Sequence, residues 1–175
     1  MKLEFIELKN PIDVSLRDLI LNEHFECARL GVSKEWLSKN FPEPDNYMAD
    51  ETAETSNIWQ YGNLEFHFHE DILYMIFTDY VESVDGGPKL NLDSWNLKSG
   101  QPTYFLDWIQ LLTQEQRDFK IIQKPIIDQT HIVLKDENEG PKLSFVWLDD
   151  CKNSPKKNKN PKLGAMQLWS TKYWQ

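Results

Sequence analysis

The residues richest in chemistry stand near the middle of the chain, in Leu64-Glu65-Phe66-His67-Phe68-His69, where a strand would project both imidazoles from one face. At that spacing His67 and His69 could ligate a metal if a third ligand came from His24, His131 or a carboxylate. The plainer reading is the polar side of a half-buried strand that meets solvent or a partner. Spacing alone completes no ligand set, so the sequence assigns neither a metal nor a cofactor. Carboxylates are plentiful, with Asp79, Glu82, Asp85, Asp93, Asp149 and Asp150 among them. Acid–base catalysis needs two of them held together with their pKa values pushed apart, which a sequence does not reveal. The chain has no nucleophile elbow, phosphate-cradling glycine loop or paired-cysteine motif, and its only Gly-Gly precedes Pro88 in a turn. Cys27 and Cys151 read as free thiols. No catalytic residue is assigned.

Charge narrows the partners. The 175 residues carry 19 Lys plus Arg against 28 Asp plus Glu, a formal net charge of −9. Nucleic acid binding needs clustered cations that release counterions, which this balance disfavours. The bases are unevenly spread: Lys152, Lys156, Lys157, Lys159 and Lys162 fall in one stretch without an acid, so the remainder of the chain is more acidic still. With its Asn, Ser and Pro, that stretch reads as a solvated, mobile loop between two strands. The acidic body reads either as a solubility device or as a surface for a basic protein. No apolar run is long enough for a membrane span and the opening MKLEFIELKN has no signal-peptide core, so the expectation is a cytoplasmic protein without a membrane partner.

The elements that must position these side chains follow from periodicity. Leu3 to Leu8 reads as a short strand. Ser15 caps a helix in which Leu16, Leu19, Ile20 and Cys27 recur until Gly31, and Ser33 opens a second, short helix with Trp36, Leu37 and Phe41 before Pro42. Residues 45 to 57 are polar and acidic and read as a loop. Ile58 to Tyr61, Leu64 to His69 and Ile72 to Tyr80 read as antiparallel strands, with Leu90, Leu92 and Trp95 in a further short one. Phe105, Trp108, Ile109 and Leu112 form the apolar stripe of a third helix starting near Pro102 or Thr103. Strand composition returns at 119–122, 132–134, 143–148 and 166–174, with a turn at Asn138 to Pro141. Trp36, Trp59, Trp108 and Trp147 are expected in the core, whereas Trp169 and Trp174 could lie at an edge or surface.

That order implies a single α+β domain over residues 1–175, an antiparallel sheet with helices on one face. Residues 58–61, 64–68 and 72–80 can be laid against 132–134, 143–147 and 166–173, each series preceded by a helix. Two readings stay open: two helix-plus-strands halves, 1–97 and 98–175, sharing one sheet, or simple recurrence of strand composition.

One stretch resembles known proteins. Leu30-Gly31-Val32-Ser33, a short helix, Phe41-Pro42-Glu43-Pro44 and then Ile58-Trp59-Gln60-Tyr61-Gly62-Asn63-Leu64-Glu65-Phe66-His67-Phe68 are similar to a pattern in small bacterial cytoplasmic proteins, several of them immunity proteins encoded beside polymorphic or contact-dependent growth-inhibition toxins. The helix-then-paired-strands order also resembles the module of β-lactamase-inhibitor-like folds. The resemblance covers under a third of the chain. It implies an inhibitor that binds its cognate toxin and performs no chemistry; binding positions do not carry over from it. Joined to the acidic charge, it makes the expected partner a basic toxin domain, such as a nuclease, whose active site the protein covers. The alternative is a small metal-dependent hydrolase using His67 and His69. From the strand alternation, the expected partner surface is the side of the sheet bearing Glu65, His67 and His69, continued by Asp79, Glu82 and Asp85 after the next strand.

Overall fold

A computed structural model describes residues 11–48, 52–146 and 160–174. Ser15 and Ser33 each turn extended chain into helix: their hydroxyls accept from the backbone N–H of Arg17 (3.2 Å) and Trp36 (3.1 Å) at the starts of α1 (Leu16–Leu21) and α2 (Lys34–Asn40). The first helix is much shorter than its expected end at Gly31. A stripe of Leu16, Leu19 and Ile20 calls for an apolar residue at 23, and Glu23 stands there instead, in a left-handed conformation (φ 58°) that ends the helix. The buried Phe25 then pairs with Ala28 across a tight turn. In the second helix Lys34 and Leu37 face inward, which leaves Trp36 outside: it is exposed, contrary to the core position expected from its type.

Eight strands form the main sheet: β2 (Asn46–Tyr47), β3 (Ile58–Tyr61), β4 (Leu64–His69), β5 (Ile72–Thr78), β7 (Lys120–Lys124), β8 (Gln129–Val133), β9 (Glu139–Val146) and β10 (Lys162–Ser170). Their order is β2-β3-β4-β5-β10-β9-β8-β7, antiparallel at every junction. Two four-stranded meanders thus meet at β5 and β10. The strands matched in the sequence, β3 with β8, β4 with β9 and β5 with β10, occupy mirrored places, the order that two units side by side would have. The fold is α+β. The expected turn at Asn138 to Pro141 lies slightly earlier, because β9 already begins at Glu139. Residues 45 to 57 contain the two-residue edge strand β2, whose Asn46 pairs with Gln60. Outside the main sheet, β1 (Ile12–Ser15) pairs in parallel with β6 (Leu90–Asp93), a partnership between distant segments that composition gave no means of seeing. The expected strand at Leu3 to Leu8, Trp147, Cys151 and Lys152 to Lys159 lie outside the described residues, as does the side chain of Trp174.

One face of the sheet holds the core. Trp59, Tyr61, Leu64, Phe66, Ile76, Leu168, Leu143, Phe145 and Ile132 are buried there beneath the helices, at roughly 1.5–3 kcal/mol each for the large aliphatic and aromatic side chains. Helix α3 (Phe105–Gln114) seats Trp108 and Leu112, and the Phe105 ring meets Phe145 of β9 edge-on at 5.3 Å.

The residues of the Phe-Pro and Tyr-Gly-Asn stretches interlock within this core. Tyr61 donates its hydroxyl to the Pro42 carbonyl (2.7 Å) and meets the Phe41 ring edge-on at 5.4 Å. Gly62, at φ +57°, lies so close to the next loop that a Cβ would fall 2.4 Å from Gly87 N and 2.5 Å from Asp85 O. Asn63 braces the same loop: its side chain donates to Ser83 O and accepts from Asp85 N, both at 2.8 Å.

Candidate functional site

The sheet face turned away from the core carries Glu65, His67 and His69, because β4 alternates buried Leu64, Phe66 and Phe68 with these half-buried polar residues. Register extends that face across the sheet. Glu65 lies opposite Phe77, Phe77 opposite Gln167, and Gln167 opposite Lys142; His67 lies opposite Met75, and Met75 opposite Trp169. Between His67 and Phe68 the register shifts, so Tyr74 is the extra residue of a β-bulge. Its ring and that of Phe77 each stand 6.2 Å from His67, near perpendicular. His67 Nε2 is 2.8 Å from Glu65 Oε2. Burial pushes the His67 pKa down against the opposing pull of Glu65, which favours the neutral imidazole at neutral pH. A neutral ring then donates Nε2–H to the carboxylate.

The six expected partner-binding residues do not form one acidic surface. Asp79 and Glu82 line a cleft of about 390 Å³ beyond the end of β5, but Lys162 also lines it and forms an ion pair with Glu82. Glu82 is consequently half-buried, not the exposed acid the sequence implied. Asp85 is exposed, yet it belongs to the junction around Gly62, where its side chain accepts from Gly87 N (3.0 Å) and its carbonyl from Asn63 N (3.0 Å). On the far half of the same face the charges are basic, with Lys120, Lys124 and Lys142 at matching register.

An acidic cleft that the sequence did not disclose lies beside the small parallel sheet. About 530 Å³ in volume, it is lined by Asp13, Asp18, Glu26, Asp93 and His24 together with Val14, Ser15, Asn91 and Leu92. No lysine or arginine is in that lining. Four carboxylates converge because β1, the start of α1, the turn after α1 and β6 meet there. Three are oriented by neighbours: Asp13 accepts from Asn91 Nδ2 (2.6 Å), Asp93 from Ser15 Oγ (3.2 Å) and Asp18 from Asn22 Nδ2 (2.7 Å). Such a cleft focuses negative potential and attracts cations. The four acids come from positions 13, 18, 26 and 93, and only the β1–β6 pairing brings the last to the others.

Among the described residues, no group of three or more His, Cys, Asp or Glu is arranged to hold a metal ion. Cys27 offers no reactive thiolate: burial, foremost, pushes its thiol up to about 11, and its Sγ lies 3.3 Å from Asn40 O. No helix among the described residues is long and apolar enough to cross a membrane. Comparison with known proteins found no matching family, curated protein or solved structure.

Proposed function

We propose that this chain is an immunity-type protein that neutralises a basic toxin domain by binding it and covering its active site, in the cytoplasm. The observation that carries the reading is the cleft of Asp13, Asp18, Glu26 and Asp93, four carboxylates with no lysine or arginine in the lining, on a chain of net charge −9. Complementary charge would speed the encounter and reject like-charged surfaces. The resemblance of the Leu30 to Tyr80 region supports the same class. Its distinctive residues, Tyr61, Gly62 and Asn63, lock loops together, so they hold the scaffold and leave binding to the surface. In this reading a lysine or arginine of the toxin enters the cleft, and exposed Asp79 adds to the field from the end of β5.

The test is co-purification and growth protection with the toxin domain encoded beside this gene. The double variant Asp13→Asn, Glu26→Gln is expected to slow association several-fold at low salt while folding normally. The reading is overturned if no neighbouring toxin domain binds or is neutralised.

The rival, a small metal-dependent hydrolase, draws support from the His67–Glu65 hydrogen bond, since a carboxylate that orients a histidine is a common partner of metal ligands. Metal analysis of the purified chain discriminates: stoichiometric zinc lost in the His67→Ala, His69→Ala double variant would favour the hydrolase.

A further inference from the structure

On the face away from the core two buried polar groups lack hydrogen-bond partners, and by register a half-buried lysine stands between them. His131 is 7% exposed; its Nε2 is 3.1 Å from Gln129 Oε1, and its Nδ1 is buried with no hydrogen-bond partner. The indole Nε1–H of Trp169 is likewise buried and unpartnered. Lys142 is half-buried and stacks its ammonium 4.6 Å from the centre of the Trp169 ring, and among the described residues no carboxylate forms an ion pair with it. A buried donor or acceptor left unmade costs roughly 1–3 kcal/mol, so the two such groups on either side of one unpaired cation call for a common explanation.

They are neighbours by register. His131 lies opposite Ser144, two residues along β9 from Lys142; Trp169 lies opposite Gly140, two residues the other way. Both are therefore diagonal to Lys142, on the strands that flank it, within reach of long side chains. Val133, directly opposite Lys142, is fully buried, so charge here acts in a poorly hydrated setting.

We infer that His131, Lys142 and Trp169 form a binding site for an oxyanion, a carboxylate or a phosphate, taken up together with one proton. The ammonium and the indole N–H donate to it directly. Gln129 Oε1 can only accept, so it fixes the proton of neutral His131 on Nε2 and leaves the Nδ1 lone pair bare. Protonated at Nδ1, the ring becomes a third donor, and the proton comes from solvent or from the acid form of the ligand. Burial first, then Lys142 and Lys124, holds the His131 pKa below its ordinary value, while Glu137 opposes them. Burial first, and Lys124 with it, also lowers the pKa of Lys142 against the pull of Glu137. Lys124 is itself engaged by Glu137, which leaves Lys142 as the cation available to a ligand. An arriving anion reverses the repulsion on His131 and raises its pKa. The inference does not depend on the toxin-binding reading, because it rests on β8, β9 and β10 of the main sheet and shares no residue with the cleft beside β1 and β6.

The test is nuclear magnetic resonance on the full chain, following the Trp169 indole N–H and the His131 ring during titration with inorganic phosphate or, separately, the peptide acetyl-Glu-Glu-Glu-amide, at ionic strength fixed with chloride. Expected are a shift of the indole proton, a raised His131 pKa, and affinity that strengthens by up to about tenfold per pH unit as pH falls between the pKa values of the occupied and free states. Lys142→Met keeps the aliphatic arm over the indole and should lose about tenfold or more in affinity. His131→Gln should bind the peptide, whose carboxylates stay ionised above about pH 6, without the rise in affinity that acid gives the unaltered chain. Response to phosphate alone identifies a phosphorylated or inorganic ligand, and response to the peptide alone identifies acidic side chains of a protein. The inference is overturned if neither probe moves either resonance, or if folded Lys142→Met, checked by its thermal midpoint, binds as tightly as the unaltered chain.

Discussion

The two meanders have mirrored strand orders and opposite habits. In the first, β2 to β5, the distinctive residues are occupied with one another: Tyr61 with Pro42, Gly62 with the loop at Asp85 and Gly87, Asn63 with Ser83, and His67 with Glu65. In the second, β7 to β10, buried groups of His131 and Trp169 stand without partners, and the edge strand with the turn after it exposes Ile121, Ile126 and Ile127, Ile126 being 99% exposed. Satisfied polar groups fix a fold, while unsatisfied ones and bare apolar ones mark surface held ready for something else. The difference separates scaffold from recognition within one sheet.

That contrast can be broken most forcefully at the glycines. Gly62→Ala places a Cβ against two backbone atoms at a positive φ, and should cost about 3 kcal/mol or more in urea unfolding, or prevent folding. Gly140, at φ +94° in the second meander, would have a Cβ 3.0 Å from Lys135 Cβ and 3.2 Å from its Cδ, with no backbone atom among its three nearest neighbours; Gly140→Ala should cost less, about 1–2 kcal/mol. Equal losses would dissolve the distinction. Next is Lys34, buried, 2.8 Å from Asp71 and close to the Phe68 ring. Asp71 sits at φ 65°, which asparagine tolerates, so Asp71→Asn removes charge without backbone strain. It leaves the buried ammonium with neutral acceptors alone, the amide oxygen at position 71 and the long contacts to Glu54 O and Asn57 Oδ1, and should cost about 1–3 kcal/mol.

Acid should probe both halves at once. His67 and His131 have pKa values pushed below the ordinary 6.5, mainly by burial. Their unfolded forms take up protons first, so stability is fully present above pH 6.5 and is lost as pH falls through the window beneath it. Urea midpoints between pH 7.5 and pH 5 should decline, and His131→Gln should flatten part of the decline; an unchanged slope would show that His131 does not contribute. Smallest of all, Ile126→Asp should change stability by less than about 0.5 kcal/mol while reducing any self-association measured by sedimentation, because the side chain is almost wholly in solvent.

The sequence disclosed those parts of this picture that repeat locally. Alternation over Leu64 to His69 placed β4 and its two faces, and the stripe of Phe105, Trp108 and Leu112 placed α3. The acidic cleft was illegible because Asp93 reaches Asp13 through a parallel pairing of two four-residue strands. The His131, Lys142 and Trp169 group was illegible for a similar reason: each residue looks ordinary on its own strand, and only the registers of β8, β9 and β10 make them neighbours. Glu82 misled because the charge that cancels it, Lys162, belonged in the sequence to a lysine-rich stretch with a different expected role.

The central claim, that the acidic cleft receives a basic protein, is tested most directly by stopped-flow association of this chain with the neighbouring toxin domain across a salt series. The account predicts a rate that falls steeply with salt, and a Asp13→Asn, Glu26→Gln variant that associates several-fold more slowly at low salt and converges with the unaltered chain at high salt. A salt-independent rate shared by both proteins, or no association, would contradict it.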